Sequence, residues 1–309
     1  MNSAGFSLVE TLIAMALTMT VTGTAVSLVL PASRTSMTQP EIMDVQQRAR
    51  VAAEMISRDL APAGAGIYAG PWRGVLPTAI PAVLPRRLGG DNGDSPDVAR
   101  DTAITILSVP STAAQTTTAA AISAASLSLV TTAAPNCGVP VLCGLTAGQD
   151  VLVTDRAGQF DVFRITAING VTGTLRHHGQ DLAAVYPAGS TVSLVTSRTY
   201  ELNAPTGILR QYDGDRSDQP AADGISKLSF TYFAARTDGV AGLAEVPLSQ
   251  LNDGPWIGIG TSRFDADLLR VRMIRVNAGA QAADVRMRDR VPAFEVHVDV
   301  APRSMSVGR

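Results

Sequence analysis

Near its N-terminus the chain reads GFSLVETLIAMALTMTVTGTAVSLVL at residues 5–30, and the sequence that follows is far more polar. The last twenty residues of this segment, 11–30, contain no charged side chain. A helix rises about 1.5 Å per residue, so a helix of that length spans roughly 30 Å, the hydrocarbon thickness of a bilayer. The segment therefore predicts one membrane-spanning helix at the start of the chain.

A cleaved secretory signal peptide is the main alternative for an apolar run in this position. Such a peptide carries basic residues before an apolar core of about 7–15 residues. Here no Lys or Arg precedes the run, the run is longer, and a carboxylate, Glu10, stands at its entrance. We therefore expect the helix to be retained in the mature protein.

The carboxylate of Glu10 needs a partner, because a charged acid at the centre of a membrane helix costs about 2.5–3.5 kcal/mol. A local partner is available in the sequence. Ser7 and Glu10 have the spacing of a capping box, in which the two side chains bond the first free N–H groups of a helix. A second possibility is a partner outside the chain.

The order Gly5-Phe6-x-x-x-Glu10 before a long apolar helix resembles the class III signal of type IV prepilins and type II secretion pseudopilins. The resemblance implies that a prepilin peptidase cleaves between Gly5 and Phe6, and that the new N-terminal Phe6 is N-methylated. It also implies that Glu10 is required for assembly. The leader, residues 1–4, lacks the basic residue that such leaders usually carry.

A charge pair gives the implied role of Glu10 a physical basis. Inside a bilayer or a filament core, the Glu10 carboxylate could be neutralised by the N-terminal amine of Phe6 in a neighbouring subunit. Such a buried pair adds little stability, but it fixes the register between subunits. We expect substitution of Glu10 to leave the protein in the membrane and to impair its incorporation.

A second amphipathic segment follows the apolar run. Pro31 and Pro40 predict a kink or an interruption of the helix where it leaves the membrane. From residue 41 onward, apolar residues recur at spacings of three and four, which is typical of a helix that packs on a sheet. These residues are Ile42, Val45, Ala49, Ala52, Ile56 and Leu60. The sequence APAGAG at residues 61–66 is expected to end this helix.

The remainder of the chain alternates apolar and polar residues between Gly, Pro and Asn turns, which favours strands. The predicted strands are 103–109, 126–131, 150–154, 160–168, 191–196, 199–202, 208–212, 225–234, 268–277 and 293–301. Residues 111–124, rich in Ala, Thr and Ser, are expected to form a surface loop or a mobile insert. No fixed interval repeats, so a solenoid is not expected.

These elements predict an α+β protein, with a long pilin-type helix packed on a β-rich head. The expected parts are a leader at residues 1–5, a hydrophobic transmembrane or filament-core helix at 6–33, an amphipathic helix at 34–62, and a β-rich periplasmic head at 63–309. With 309 residues, one head of this size lies within the single-domain range. The formal net charge of −2 gives no electrostatic footprint for nucleic acid.

Two cysteines, Cys137 and Cys143, are separated by five residues. A metal or redox site would need a CxxC pair or further ligands, and no His cluster accompanies them. A local disulfide is favoured instead, and closing so short a loop contributes roughly 2 kcal/mol. It would place the head in an oxidising compartment such as the periplasm or the cell surface.

Two acidic turns and three histidines are the remaining candidates for chemistry. Calcium is conceivable at Asp91, Asp94 and Asp97, and again at Asp213, Asp215 and Asp218. Neither turn matches the EF-hand pattern, so solvated turns and no metal are expected. The adjacent histidines would point to opposite faces of a strand, and the third sits in another strand. They are His177, His178 and His297. We expect no catalytic residue, no cofactor and no enzyme activity.

Further segments resemble the larger minor pilins of the PilW kind and the pseudopilins of the GspJ or PulJ kind. They include Arg48-x-Arg50, Arg58-Asp59-Leu60 before Ala63-Gly64, and TYEL at residues 199–202. The resemblance implies a single-pass inner-membrane precursor with a cytoplasmic N-terminus and a periplasmic head. It later joins a surface pilus or pseudopilus. The implied partners are prepilin peptidase, the inner-membrane assembly platform, and other minor and major pilins.

The sequence thus predicts a minor pilin that primes, assembles or caps a type IV pilus. A type II secretion pseudopilin is the nearest alternative and shares every feature above. A pilus-borne adhesin or DNA-uptake subunit would need a basic or aromatic surface patch, and the spacing of the sequence shows none. An anchored periplasmic enzyme is the last alternative.

Overall fold

The computed structural model combines one long helix with a β-rich region. It describes residues 7–64, 80–89, 93–110, 114–132, 142, 144–157, 159–177, 182–213, 217–236, 241–258, 260 and 263–302, except for the side chains of residues 30–37. The predicted α+β class is confirmed at this level: an N-terminal apolar helix precedes a large β-rich C-terminal region.

The helix, α1, runs without interruption over Leu8–Leu60, and its 53 residues span about 80 Å. The interruption predicted near Pro31 and Pro40 does not occur. A proline removes a single N–H donor, and the long helical stretches on both sides maintain the conformation. The helix ends as predicted, with Ala61 at its C-cap. Gly64, just beyond, adopts a φ of 71° that favours glycine.

The second half of α1 is amphipathic in the way the spacing predicts. The apolar side chains that recur along this half form a stripe, and all of them are buried: Val45, Ala49, Ala52, Ile56 and Leu60. Ala53 is buried beside the stripe. Ile42 is partly buried against the same core. The alanines of the stripe are small, so the helix axis lies close to the sheet beneath it. Met43 and Val51, on the opposite side, are exposed.

The rest of the described chain contains seventeen strands, joined by turns, loops and short 3-10 helices. They are β1 Val83–Leu84, β2 Ala103–Ser108, β3 Gln115–Thr117, β4 Ser128–Val130, β5 Asp150–Thr154, β6 Phe160–Asn169, β7 Thr174–His177, β8 Thr191–Leu194, β9 Thr196–Asn203, β10 Ile208–Tyr212, β11 Asp218–Ala222, β12 Ile225–Ala235, β13 Leu243–Val246, β14 Trp256–Ile257, β15 Phe264–Asp265, β16 Val271–Ala280 and β17 Phe294–Val300. Every pairing among these strands is antiparallel.

Two sheets and the helix form the main part of the head. One sheet has the order β1-β2-β9-β10-β11, the other has the order β13-β12-β16-β17, and β14 and β15 form a small ribbon. The stripe of α1 packs chiefly on β16 and β17. Helix and sheets share one hydrophobic core, to which each contributes buried side chains. The β-rich head is thus held to the helix by apolar burial.

The remaining six strands close into a barrel with the order β3-β8-β5-β6-β7-β4. A bridge between Thr118 and Thr131 joins the first strand to the last, and the Ala119 N–H donates to the Val130 carbonyl over 2.8 Å. The barrel has its own core, with Leu129 and Tyr186 among its buried side chains. Closure leaves this sheet without a free edge between β3 and β4.

The barrel is inserted between two paired strands of the main part of the head. It begins after β2 and ends before β9, and the facing ends of these strands, Ser108 and Thr196, pair directly. Arg164 of the barrel bonds Asp150 at 2.9 Å and also bonds Asp213 of the main part at 2.9 Å. The Arg164–Asp213 ion pair and the adjacent strand ends hold the barrel on the main part of the head.

The strand predictions are confirmed for most of the chain. β5 and β10 have the predicted bounds, and β16 starts three residues late because residues 266–270 form a short 3-10 helix. The loop or mobile insert predicted over residues 111–124 is wrong for its described part, because residues 114–124 contain β3 and the bridges of Thr118 and Ile122. The β-branched threonines fit a strand, although the flanking alanines conceal the alternation.

A buried histidine makes the stability of the barrel depend on pH. His177, at the end of β7, is 5% exposed, and its ring lies 4.7 Å from that of Phe163. Its Nε2 has no hydrogen-bond partner among the described residues. Burial lowers the pKa of His177 below 6.5, and its hydrogen bond to the Ser126 backbone only partly opposes this. The folded barrel therefore holds the neutral ring, whereas the unfolded chain takes up a proton near pH 6.5.

We expect the free energy of unfolding to be constant above about pH 6.5 and to fall as the pH drops towards the folded-state pKa. The slope should approach about 1.4 kcal/mol per pH unit. Denaturant midpoints between about pH 5.5 and 7.5 measure it. The His177→Phe variant should lose this dependence, while His297→Gln, at an exposed position of β17, should keep it. Parallel profiles for wild type and His177→Phe would contradict the interpretation.

Candidate functional site

The first half of α1 forms an exposed apolar arm over Leu8–Val29. Within the described residues it is the one helix that is long and apolar enough to cross a membrane, and none of it is buried against the head. Its large side chains, such as Leu12, Ile13 and Leu28, are exposed. An uncovered apolar helix of this length needs lipid or other helices around it.

Six hydroxyl groups interrupt the apolar arm, and each of them is satisfied within the helix. The residues are Thr11, Thr18, Thr20, Thr22, Thr24 and Ser27, and each donates to a carbonyl three or four residues earlier. The Thr18 hydroxyl, for example, lies 2.7 Å from the Ala14 oxygen. Because the hydroxyl protons are already bonded, the arm can lie in hydrocarbon without free hydroxyl donors.

Glu10 is the exception on the arm. Ser7 occupies the N-cap with an extended backbone, but its side chain makes no cap hydrogen bond, so the capping box expected from the sequence is not formed. Among the described residues, none donates a hydrogen bond or an ion pair to the Glu10 carboxylate, which is exposed. The local role is therefore not used, and Glu10 is available to a group outside the chain.

Small residues lie on two opposite sides of the arm. At about 100° per residue, one side carries Thr11, Ala14, Thr18, Thr22 and Ala25, and the other carries Ala16, Thr20, Gly23 and Ser27. Apart from its chain neighbours and the backbone of its own helix, no atom of the described residues lies within 4 Å of a Cβ placed on Gly23. Small side chains let helix backbones approach closely in lipid. The arm can accordingly pack against neighbouring helices on two sides at once.

The far end of α1 is clamped to the head by a carboxylate. Asp59 Oδ2 accepts hydrogen bonds from Arg198 Nη1 at 2.8 Å and from the Tyr200 hydroxyl at 2.7 Å, both on β9. Burial, followed by the bond to Asp59, raises the pKa of Tyr200. The clamp holds the end of the helix against the sheet. In the sequence, Asp59 stands out only as part of the segment Arg58-Asp59-Leu60 that resembles minor pilins, and nothing indicates Arg198 or Tyr200 as its partners.

The processing and disulfide residues predicted from the sequence lie outside the described residues. This applies to Gly5 and Phe6, and equally to Cys137 and Cys143. Cleavage, methylation and the disulfide therefore stay predictions. Of the predicted site residues, Glu10 is the one that the structure describes.

In the two acidic turns, the described carboxylates are engaged by arginines. Asp94 bonds Arg100 at 2.5 Å, and Asp97 pairs with Arg263. In the second turn Asp213 bonds Arg164, and Asp218 bonds Arg210 and Arg87. Burial would raise the pKa of Asp218, but the hydrogen bonds from its two arginines lower it overall. Asp91 and Asp215 lie outside the described residues. These pairs cross-link loops and strands.

The histidines do not gather into one site. His177 lies in the barrel core, while His297 lies on the exposed face of the four-stranded sheet. His178 is outside the described residues. The separation of the two described histidines follows from their positions in different sheets.

The structure brings together three acids that the sequence did not suggest: Asp253, Asp265 and Asp267, whose oxygens lie within 4.8 Å of one another. Asp265 is buried, and it accepts hydrogen bonds from the N–H groups of Gly254 and Asp267. Asp267 bonds Arg270 at 2.8 Å. The acids thus order a tight turn and the start of a short helix. Only the Asp-x-Asp spacing could have indicated part of this cluster.

No known family model, curated protein or solved structure matches this chain. Its function is therefore inferred from the residues of the arm and of the head.

Proposed function

We propose that this protein is a minor pilin, which takes part in assembling, priming or capping a type IV pilus. One observation carries the proposal: among the described residues Glu10 has no partner, and it lies at the start of an exposed apolar helix whose hydroxyl groups over Leu8–Val29 are bonded within the helix. A plain membrane anchor has no need of such a carboxylate, because burying it costs free energy. A helix that must recognise a neighbouring subunit does need such a charged group.

The arm joins the filament by leaving the lipid and packing among the arms of other subunits. Its two small-residue sides allow neighbours to approach on both flanks. The Glu10 carboxylate then meets the N-terminal amine of a neighbouring Phe6, and this charge pair fixes the axial position of each subunit. The arm alone makes the contacts in this packing step, and the head moves with it.

The proposed route begins in the inner membrane, with a single pass, a cytoplasmic N-terminus and a periplasmic head. Prepilin peptidase removes residues 1–5, and the assembly platform transfers the mature subunit to the filament. The partners are other minor and major pilins, and the protein performs no catalysis. A type II secretion pseudopilin would use the same arm. Deleting this protein from the cell distinguishes the two functions. Loss of pili indicates a minor pilin, and loss of secretion with intact pili indicates a secretion pseudopilin.

Intact-mass analysis of the mature protein tests the proposal directly. We expect the loss of residues 1–5 and the gain of one methyl group on Phe6. The Gly5→Val variant, as the matched control, should keep the full-length mass because the peptidase no longer cleaves. An uncleaved wild-type chain, or a chain cut elsewhere by a different peptidase, would overturn the assignment.

A further inference from the structure

The barrel joins the head at the end remote from the arm. The chain leaves α1 at Leu60, and four residues later the Gly64 N–H donates to the Leu107 carbonyl at the end of β2 over 2.7 Å. The barrel starts just beyond that point and returns at β9, where Arg198 meets the end of the helix. With the arm in a membrane or a filament core, the barrel is the outermost part of the subunit.

One side of the barrel exposes apolar residues and almost no charge. We define the β4 wall as Leu127, the outer surface of β4 and of its partner β7, the alanines at 119–121 after β3, and the turn at 170–173 between β6 and β7. Leu127 and Val130 are 55% and 42% exposed, and Val171 in the turn is 82% exposed. Val130 pairs with Thr174 and accepts the Ala119 N–H bond, which places these elements side by side. The sequence behind this wall is unusual, since residues 102–149 contain no charged side chain.

A single cation stands on the β4 wall. Arg176 of β7 pairs with Ser128 of β4 and points outward, as its exposure shows. Within the described parts of the chain, no carboxylate forms an ion pair with it. Its guanidinium therefore lies among exposed apolar side chains with no counter-charge from the described residues. At the centres of protein interfaces arginine is enriched, while Lys, Glu and Asp are depleted.

We propose that the β4 wall binds the head of another filament subunit, through Leu127, Val130 and Val171, with Arg176 pairing a carboxylate of that partner. The proposal rests on the proposed function and deepens it. A polyanion such as nucleic acid would require several cations, and the wall carries one. A glycan would call for an exposed aromatic ring, and the described residues of the wall supply none. A protein with an uncharged apolar patch and one acid fits both features.

Photo-cross-linking of the full-length protein in its own membranes tests this. A benzophenone amino acid is placed at position 130 or 171 and, as a control, at position 285, an exposed valine in a short 3-10 helix of the main part. After irradiation, mass spectrometry identifies the joined protein. We expect positions 130 and 171 to capture a protein with the pilin-type Gly-Phe-x-x-x-Glu start, and position 285 not to capture it.

Charge variants sharpen the result. Arg176→Glu should reduce the cross-link yield at position 130 by about tenfold or more, corresponding to about 1.4 kcal/mol. Arg176→Lys should retain most of the yield, and Arg286→Glu should retain all of it. No cross-link, a cross-link only to a second copy of this chain, or capture of a protein without the pilin-type start would overturn the proposal. If the mature mass is as expected and the cross-link is absent, only this inference fails, and the proposed function stands.

Discussion

Replacing Glu10 by leucine is expected to leave the protein in the membrane and to remove it almost completely from the filament. Leucine increases the apolar character of the arm, so membrane insertion should not suffer. The variant removes the partner of the neighbouring N-terminal amine, which then remains charged in an apolar surrounding. Breaking one side of a buried pair costs about 3–5 kcal/mol, so incorporation should fall more than about a hundredfold. The incorporation is measured by quantitative blotting, as the amount of the protein in sheared filaments relative to the amount in the membrane fraction.

Thr18→Val is the matched control for Glu10→Leu. It also removes a polar group from the arm, but the hydroxyl that it removes is bonded to the Ala14 carbonyl within the helix. We expect near-normal incorporation of this variant. Equal incorporation of Glu10→Leu and wild type would contradict the charge-pair role of Glu10.

Truncating Ile56 to alanine is expected to destabilise the head by about 2–5 kcal/mol. Its side chain is fully buried in the core between α1 and the sheets, so the substitution leaves a cavity and removes apolar burial. Val51→Ala on the same helix is the control, because Val51 is 43% exposed and should cost less than about 0.5 kcal/mol. Denaturant midpoints of the full chain in detergent provide the comparison. Similar midpoints for both variants would show that the helix does not dock as described.

The regular elements of the head follow from local pattern. The stripe from Val45 to Leu60 has helical spacing, and its residues are the ones that the structure buries. β5 and β10 have the predicted bounds because turn residues flank both of these short segments. These features depend on neighbours within a few positions of each other, which a single sequence displays directly.

The barrel could not be predicted, because closure depends on pairing between distant segments. The bridge from Thr118 to Thr131 joins β3 and β4, which are only three residues long each and therefore show little alternation. Local rules also failed in the helix. Pro31 and Pro40 did not interrupt it, since the extended hydrogen bonding on both sides outweighs the donors they lack.

The sequence identified Glu10 as the candidate site residue, but it did not show which group its carboxylate binds. Glu10 was selected by its place before the apolar run, but two roles, a local cap and an external partner, were open. The structure leaves the cap unmade at Ser7, and the external role is the one that we propose. The clamp at Asp59 and the wall around Arg176 needed the positions of β9 and β4, which no spacing in the sequence encodes.

The continuity of α1 has a mechanical consequence. One hydrogen-bonded helix carries both the arm and the stripe that lies flat on β16 and β17, with the Asp59 clamp at its far end. A pull along the helix axis therefore loads the whole stripe in shear, and the contacts share the tension instead of peeling away one by one. The head can thus stay attached under a force that would detach it if it were held at the edge alone.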